Sequence, residues 1–146
     1  MIFVSDLDQT LIFSKKHIGE GLEDKVLPIE MKNEEIISYI HKEVLEKLRN
    51  LNDKLIFIPA TTRTLEQYNR VQAFKEYLSP KYAIVNHGGS ILVNGELDLK
   101  WQNHISDIVS KQCATLNYIK EMFKNKLYNE EWVIDIRQVE DLFLYC

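Results

Sequence analysis

The chain has 146 residues, of which 45% are apolar and 27% charged, and its formal net charge is −4. This length and composition fit one globular domain with an ordinary core. The acidic balance gives no electrostatic reason to bind nucleic acid or an anionic membrane, and no apolar run reaches the roughly 18 residues of a membrane span. Cys113 and Cys146 lie too far apart to indicate a zinc site or a disulfide framework, so we expect free thiols in a cytoplasmic protein.

The first 60 residues predict a strand, a flap, a helix and a second strand. Residues 2–4 are apolar and indicate a short buried strand, and the polar stretch 14–33 predicts a loop or small flap with strand character only at 25–30. An amphipathic helix is predicted from Asn33, a candidate N-cap, to residues 50–53, with Ile37, Ile40, Val44, Leu48 and Leu51 on its apolar face. Residues 55–60 are apolar throughout, which is typical of a strand buried in a parallel sheet.

The next segment predicts a second helix and a third strand. Thr64 and Gln67 have the spacing of a capping box, and the helix is predicted to run until Ser79 and Pro80. Residues 82–86 again have the apolar pattern of a buried strand. Strands that alternate with helices predict an α/β fold whose sheet is mainly parallel.

The remaining residues have a different pattern. Asn94 and Gly95 predict the turn of a β-hairpin whose strands are residues 90–93 and 96–101. A single helix is predicted over 104–126, with six apolar residues inward: Ile105, Ile108, Val109, Leu116, Ile119 and Phe123. Residues 132–136 and 142–146 predict two paired strands.

The pair Asp6 and Asp8 directly follows the first predicted strand. Residues at i and i+2 of an extended segment point to the same side, and ligands of open α/β sheets bind at the carboxyl ends of the strands. Two carboxylates there repel each other unless a divalent cation or a shared proton compensates, and hard oxygen ligands suit Mg²⁺. The spacing therefore indicates a metal-assisted or acid/base site.

Three uses of this spacing compete. A calcium loop of the EF-hand type needs Gly at its sixth position and Glu at its twelfth, but those positions hold Leu11 and His17. The metal-binding DxD of a sugar-nucleotide transferase needs a nucleotide-binding fold upstream, and only five residues precede Asp6. The third use is phosphoryl transfer through an aspartyl phosphate.

Asp6, Asp8 and Thr10 form an Asp-x-Asp-x-Thr motif after the first predicted strand, and Thr61 stands at the end of the second core strand. These residues resemble the first motif and the Thr or Ser of the second motif of the haloacid dehalogenase (HAD) superfamily of phosphatases. Residues 60–63 (ATTR) resemble the ATGR form of the Cof-like and sucrose-phosphatase-like branch, with Thr62 in place of the usual glycine, and residues 86–96 (NHGGSILVNGE) resemble the hairpin that leads into its α/β cap. The pattern is also similar to HAD phosphatases found beside tellurium-resistance genes.

The resemblance implies roles for these residues. Asp6 would be the nucleophile, Asp8 the acid/base, and Thr61 and Thr62 would bind phosphate, with Thr10 and Arg63 in support. The carboxylate of Asp6 and the carbonyl of Asp8 would hold Mg²⁺. The implied substrate is a small phosphorylated metabolite such as a sugar phosphate. The other interpretation is structural: Asp8 and Thr10 cap a turn, Thr61 and Thr62 end a strand, and Arg63 is a surface arginine.

Two further HAD motifs have no match. The chain contains no Gly-Asp pair for the acidic fourth motif, and its later lysines lie outside the position of the third-motif lysine. We therefore expect a HAD-type Rossmann-like core that is incomplete over residues 1–102, the beginning of an α/β cap over 103–146, and a truncated or naturally short phosphatase. An exposed sheet edge would permit self-association. The alternative function is a non-catalytic phosphate-binding or assembly module.

Overall fold

The computed structural model describes residues 1–52, 54–127, 130–139 and 141–146. It contains two compact units, Met1–Asp98 and Leu99–Cys146. The first unit has eight strands and two α-helices among its described residues: β1 (Ile2–Ser5), β2 (Ile12–Phe13), β3 (Val26–Lys32), β4 (Glu35–His41), α1 (Lys42–Asn52), β5 (Ile56–Pro59), α2 (Leu65–Asn69), β6 (Tyr82–Val85), β7 (Ser90–Val93) and β8 (Glu96–Leu97). The described part of the second unit has α3 (Leu99–Gln112), α4 (Leu116–Leu127), β9 (Arg137–Val139) and β10 (Phe143–Tyr145).

The predicted α/β fold is confirmed, with a parallel pair of strands at its centre. β1 pairs with β5 in parallel, from Ile2 opposite Ile56 to Ser5 opposite Pro59. A parallel bridge between Ala60 and Ile84 brings β6 to the far side of β5. The other two sheets of this unit, β2–β4–β3 and β6–β7–β8, are antiparallel. In the described chain, parallel pairing is therefore confined to β1 with β5, the bridge to β6 and a single bridge between Asp8 and Ile12.

The core of the first unit lies between this sheet and the elements that cover it. Phe57 of β5 contacts both Phe3 and Phe74, with ring centroids 5.8 Å and 6.5 Å apart. The buried apolar cluster comprises Leu7, Ile12, Ile29, Ile40, Leu45, Leu48, Phe57, Tyr68, Val71, Ala73, Phe74, Leu78, Ala83, Val85 and Leu92.

β1 is less buried than its apolar sequence predicts. The residues Ile2 and Val4 are 62% and 53% exposed. Ile2 and Val4 lie on the same face of the sheet as Ile56, which is 43% exposed, so this face of the β1–β5 pair is open to solvent. Within the described residues β1 also has β5 as its one strand neighbour, so its other edge is unpaired. The prediction of the strand is confirmed, and the prediction that it is buried is wrong.

The strand character predicted at 25–30 is confirmed as β3, and the beginning of the predicted first helix is instead β4, the second strand of a β-hairpin. β3 and β4 pair antiparallel, with Lys32 opposite Glu35, so that Asn33 and Glu34 form a two-residue turn. Both turn residues have positive φ, 50° and 66°, which is the geometry of a type I′ hairpin turn. The apolar residues from Ile36 onward belong to β4, which pairs with both β2 and β3. The helix begins only at Lys42. Its end at Asn52 agrees with the prediction; Asp53 lies outside the described residues.

The predicted second helix is divided into two parts. The capping box is confirmed, because Thr64 Oγ1 accepts from the Gln67 N–H and Gln67 Oε1 accepts from the Thr64 N–H. α2 then ends at Asn69, since Val71 forms a bridge to Glu30 of β3. A turn of π-helix over Phe74–Leu78 follows and ends at Ser79, which has a φ of 40°.

The hairpin predicted at Asn94 and Gly95 is confirmed at its turn. Asn94 and Gly95 have φ values of 53° and 84° and connect β7 to β8. β8 comprises only Glu96–Leu97, because α3 begins at Leu99, so the prediction that its strand continues to residue 101 is wrong.

The second unit corrects two further predictions. The single helix over 104–126 is in fact α3 and α4, because Thr115 caps a new helix: its Oγ1 accepts from the Tyr118 N–H and its carbonyl from the Ile119 N–H. The predicted strand 132–136 is not a strand; β9 instead pairs with β10 from Val139 opposite Phe143, because hairpin pairing starts beside the connection. The strand predicted in 142–146 is confirmed as Phe143–Tyr145. Over the described residues, no helix is long and apolar enough to cross a membrane.

Candidate active site

The carboxyl ends of β1 and β5 lie at the same edge of the sheet. The Ala60 N–H donates to the Ser5 carbonyl at 2.9 Å, and the Thr61 N–H donates to the Ile84 carbonyl at 2.9 Å. Asp6 directly follows Ser5, and parallel strands are roughly 4.8 Å apart. The structure therefore brings Asp6 and Thr61 together, as expected from their positions after neighbouring strands.

The loop after β1 directs both aspartates to the solvent side. The Leu7 carbonyl accepts hydrogen bonds from the N–H groups of Thr10, Leu11 and Ile12 at 3.2, 2.9 and 2.9 Å, and the Leu7 side chain is fully buried. Asp6 and Asp8 flank this buried leucine and are exposed. Thr10 Oγ1 donates to Asp6 Oδ2 at 3.2 Å and orients that carboxylate.

The two threonines after β5 differ in exposure. Thr61 is buried, and its Oγ1 accepts from the Arg63 N–H at 3.2 Å. A hydroxyl that accepts one hydrogen bond still has its proton to donate to a ligand oxygen. Thr62, which stands where glycine is usual, is exposed. The Asn86 N–H donates to the Arg63 carbonyl at 2.8 Å, so the loop after β6 fixes this turn from the other side.

Arg63, which follows β5, binds Asp8 on the loop after β1. Its Nε and Nη2 donate to the two carboxylate oxygens of Asp8, both at 2.8 Å, and its side chain is only 13% exposed. This is the bidentate geometry that makes arginine–carboxylate pairs strong. Burial lowers the pKa of Arg63, but the hydrogen bonds to Asp8 and Glu30 outweigh that effect and raise the pKa above its ordinary value. Arg63 is therefore an ion-paired part of the site and not a free surface arginine.

Glu30 is a site residue that the sequence analysis missed. Its side chain is 1% exposed, and it accepts from Ser38 Oγ at 2.7 Å, Arg63 Nη1 at 2.9 Å and Arg70 Nε at 3.2 Å. A buried carboxylate needs cationic or hydrogen-bonding partners, so a glutamate inside the apolar stretch 26–31 is the signal that could have revealed it. That signal is weak, because none of its partners is near it in sequence.

The residues at this edge fit a magnesium ion with few protein ligands. Asp6 offers an exposed carboxylate, and the hydrogen bonds of the bridge between Asp8 and Ile12 involve the Leu7 carbonyl and the Gln9 N–H, so they do not occupy the Asp8 carbonyl. Across the described chain, no group of three or more His, Cys, Asp or Glu side chains converges. Mg²⁺ keeps several waters in most protein sites, so two protein oxygens suit it.

A parallel α/β sheet with an Asp-x-Asp-x-Thr loop after one strand and a threonine after its neighbour defines a protein of the haloacid dehalogenase superfamily. The sequence pattern of the sucrose-6F-phosphate phosphohydrolase family matches residues 1–131. The chain belongs to this family, which is a phosphohydrolase family of that superfamily. No match was found among the curated proteins.

Proposed function

We propose that this chain carries the nucleophile of a Mg²⁺-dependent phosphatase. The enzyme hydrolyses a small phosphorylated metabolite, such as a sugar phosphate, through an aspartyl phosphate. The observation that carries the proposal is that Asp6, whose side chain is exposed, and Thr61 follow neighbouring parallel strands at one sheet edge, with Asp8 on the same loop. The match to a family named for a sugar phosphate supports the substrate class.

In the first step, an Asp6 oxygen attacks phosphorus while the bond from phosphorus to the leaving oxygen breaks. Asp8 gives its proton to that leaving oxygen. The Thr61 hydroxyl donates a hydrogen bond to a phosphate oxygen, and Thr62 and the neighbouring N–H groups contribute further hydrogen-bond donors. Thr10 keeps the Asp6 carboxylate oriented through its 3.2 Å hydrogen bond.

In the second step, water attacks phosphorus of the aspartyl phosphate and releases Asp6 and inorganic phosphate. Asp8 takes the proton of that water, which restores its starting state. Arg63 occupies one lone pair on each Asp8 oxygen, and a carboxylate has about four such positions. Asp8 can therefore exchange a proton while Arg63 keeps it in place.

Magnesium, when bound through the Asp6 carboxylate and the Asp8 carbonyl, would reduce the repulsion between Asp6 and an anionic phosphate. Both ligands are hard oxygens on one loop.

We further propose that residues 1–102 act as the catalytic core and 103–146 as part of a cap that contributes to substrate choice. Cytoplasmic location is also a prediction from the sequence.

The alternative is a non-catalytic HAD-like module that binds phosphate or takes part in assembly. It is favoured because, among the described residues, no third His, Cys, Asp or Glu side chain converges with Asp6 and Asp8 into a metal-binding group. We also propose that the chain self-associates through the exposed edge of β1. Light scattering over a dilution series measures it directly, and a monomer at all concentrations would exclude it.

The test is Mg²⁺-dependent release of phosphate from p-nitrophenyl phosphate and from sucrose 6F-phosphate. The chain is compared with Asp6→Asn, with the control Asp24→Asn, and with a chain extended through any downstream reading frame. Asp24 is an exposed aspartate in the same unit, so its substitution changes charge equally without touching the site.

Activity that is lost in Asp6→Asn by about 10³-fold or more, and kept in Asp24→Asn, is the expected result for a covalent nucleophile. Activity only in the extended chain means that the phosphatase needs groups from outside these residues. Silence in both chains, with phosphate binding retained, favours the non-catalytic module. Equal activity in Asp6→Asn and the unchanged chain contradicts the proposed mechanism.

A further inference from the structure

We propose that Glu30 is a positioning residue that fixes Arg63 and, through it, the Asp8 carboxylate. The inference rests on the proposed function for its effect on the reaction, but the geometry itself is independent of that function. Glu30 lies on β3, 22 residues from Asp8 and 33 from Arg63, and none of the sequence motifs includes it.

The guanidinium of Arg63 is bound on two of its sides. The side formed by Nε and Nη2 faces Asp8, with both hydrogen bonds at 2.8 Å. The remaining nitrogen, Nη1, donates to Glu30 Oε2 at 2.9 Å and to the Gln67 carbonyl at 3.3 Å. Because the guanidinium is planar and rigid, fixing Nη1 also fixes the direction in which the other two nitrogens point.

Glu30 is itself held firmly. Ser38 Oγ from the paired strand β4 donates to Oε2 at 2.7 Å, and Arg70 Nε donates to Oε1 at 3.2 Å. The side chain is 1% exposed, so solvent does not compete for these oxygens. Its anchor is therefore the β3–β4 hairpin, whereas Asp8 lies on an exposed loop.

The charges explain why a second arginine is present. Arg63 is bound by two carboxylates, those of Asp8 and Glu30, and Arg70 supplies a second positive charge to Glu30. Arg70 in turn pairs with the exposed Glu66 at 3.0 Å. Glu30 thus keeps Arg63 in a mostly buried position without cancelling its attraction for Asp8.

The test measures Arg63 directly. The exchange with water of the Arg63 Nε–H is followed by ¹H–¹⁵N NMR at pH 6, and the signal is assigned by its loss in Arg63→Lys. Glu30→Gln removes the charge of the anchor, and Ser38→Ala loosens the anchor while leaving every charge in place. Glu66→Gln is the matched control, because Glu66 binds Arg70 and not Arg63.

We expect exchange to be faster by about tenfold in Glu30→Gln and about threefold in Ser38→Ala, the range that corresponds to weakening a charge-assisted hydrogen bond. In Glu66→Gln it should stay within about twofold of the parent. If Glu30→Gln does not fold, Ser38→Ala decides. Unchanged exchange in folded variants, even with a lower melting temperature, would mean that Glu30 only stabilises the fold and would overturn the proposal.

Phosphate release provides the second measurement. In the form of the protein that is active, Glu30→Gln should lower kcat by about tenfold with KM changed by less than about threefold, since it acts on the orientation of Asp8 and not on substrate binding. An active enzyme whose kcat is unchanged by Glu30→Gln contradicts the effect on the reaction. If no form releases phosphate, the proposed function fails, and the Arg63 exchange still decides whether Glu30 positions it.

Discussion

Replacing Glu34 by glycine should stabilise the protein. Glu34 is the second residue of the turn between β3 and β4, has a φ of 66°, and is exposed. The left-handed conformation costs a residue with a side chain, and this cost is absent for glycine. The change converts the turn to Asn-Gly, the pair most typical of a type I′ hairpin.

The expected gain follows from two opposing terms. Relief of the left-handed conformation contributes roughly 1–2 kcal/mol. The greater freedom of glycine in the unfolded chain takes back about 0.4–1 kcal/mol. The free energy of unfolding should therefore increase by about 0.5–1 kcal/mol, which for a chain of this size raises Tm by roughly 2–4 °C. If a helix began at Asn33 instead, Glu34→Gly would lower the free energy of unfolding, because glycine is unfavourable inside a helix.

The assay must report on the first unit. Both tryptophans, Trp101 and Trp132, lie in the second unit, so their fluorescence is unsuitable. Urea unfolding followed by the backbone amide signal of Ile40, which is fully buried on β4, measures the hairpin and its core. The slope of the free energy of unfolding against urea concentration should not change, since the substitution alters no buried surface.

Glu35→Gly is the matched control. Glu35 is the first residue of β4, is exposed, and lies opposite Lys32 in the sheet. Glycine in a strand lowers stability by roughly 0.5–1 kcal/mol, so the two adjacent substitutions should have opposite signs. A loss of stability in Glu34→Gly equal to that in Glu35→Gly would refute the turn and return residues 33–41 to the helical interpretation.

Two further substitutions test other parts of the first unit by urea unfolding. Thr64→Ala removes the capping box of α2 and should cost about 1 kcal/mol, whereas no loss would show that Thr64 does not cap this helix. Ile40→Ala should cost about 2–5 kcal/mol because Ile40 is fully buried, while Ile36→Ala on the exposed part of the same strand should cost less than about 1 kcal/mol; equal costs would contradict the burial pattern of β4.

Several features followed from short stretches of sequence because their causes are local. The capping box depends on two residues three positions apart, and the turn at Asn94 and Gly95 depends on residues that adopt positive φ readily. The position of Asp6 at the end of β1 follows from an apolar strand that stops at a polar loop. These patterns predicted the α/β fold and the group of residues at its edge.

The turn between β3 and β4 was missed because Asn33 and Glu34 are a poor match to the usual turn pairs. Glutamate has no local preference for positive φ, so the pairing of the two strands imposes this conformation. The apolar residues of β4 also fit a helical spacing, and only their contacts with β2 and β3 decide between strand and helix.

The sequence by itself thus determined the residues of the candidate site that follow directly from strand ends, namely Asp6, Asp8 and Thr61. Tertiary structure alone decided that Arg63 binds Asp8 and that Glu30 holds Arg63. The physical reason is that a buried ion pair forms between groups that chain folding brings together, and neither partner has a local pattern that reveals the other.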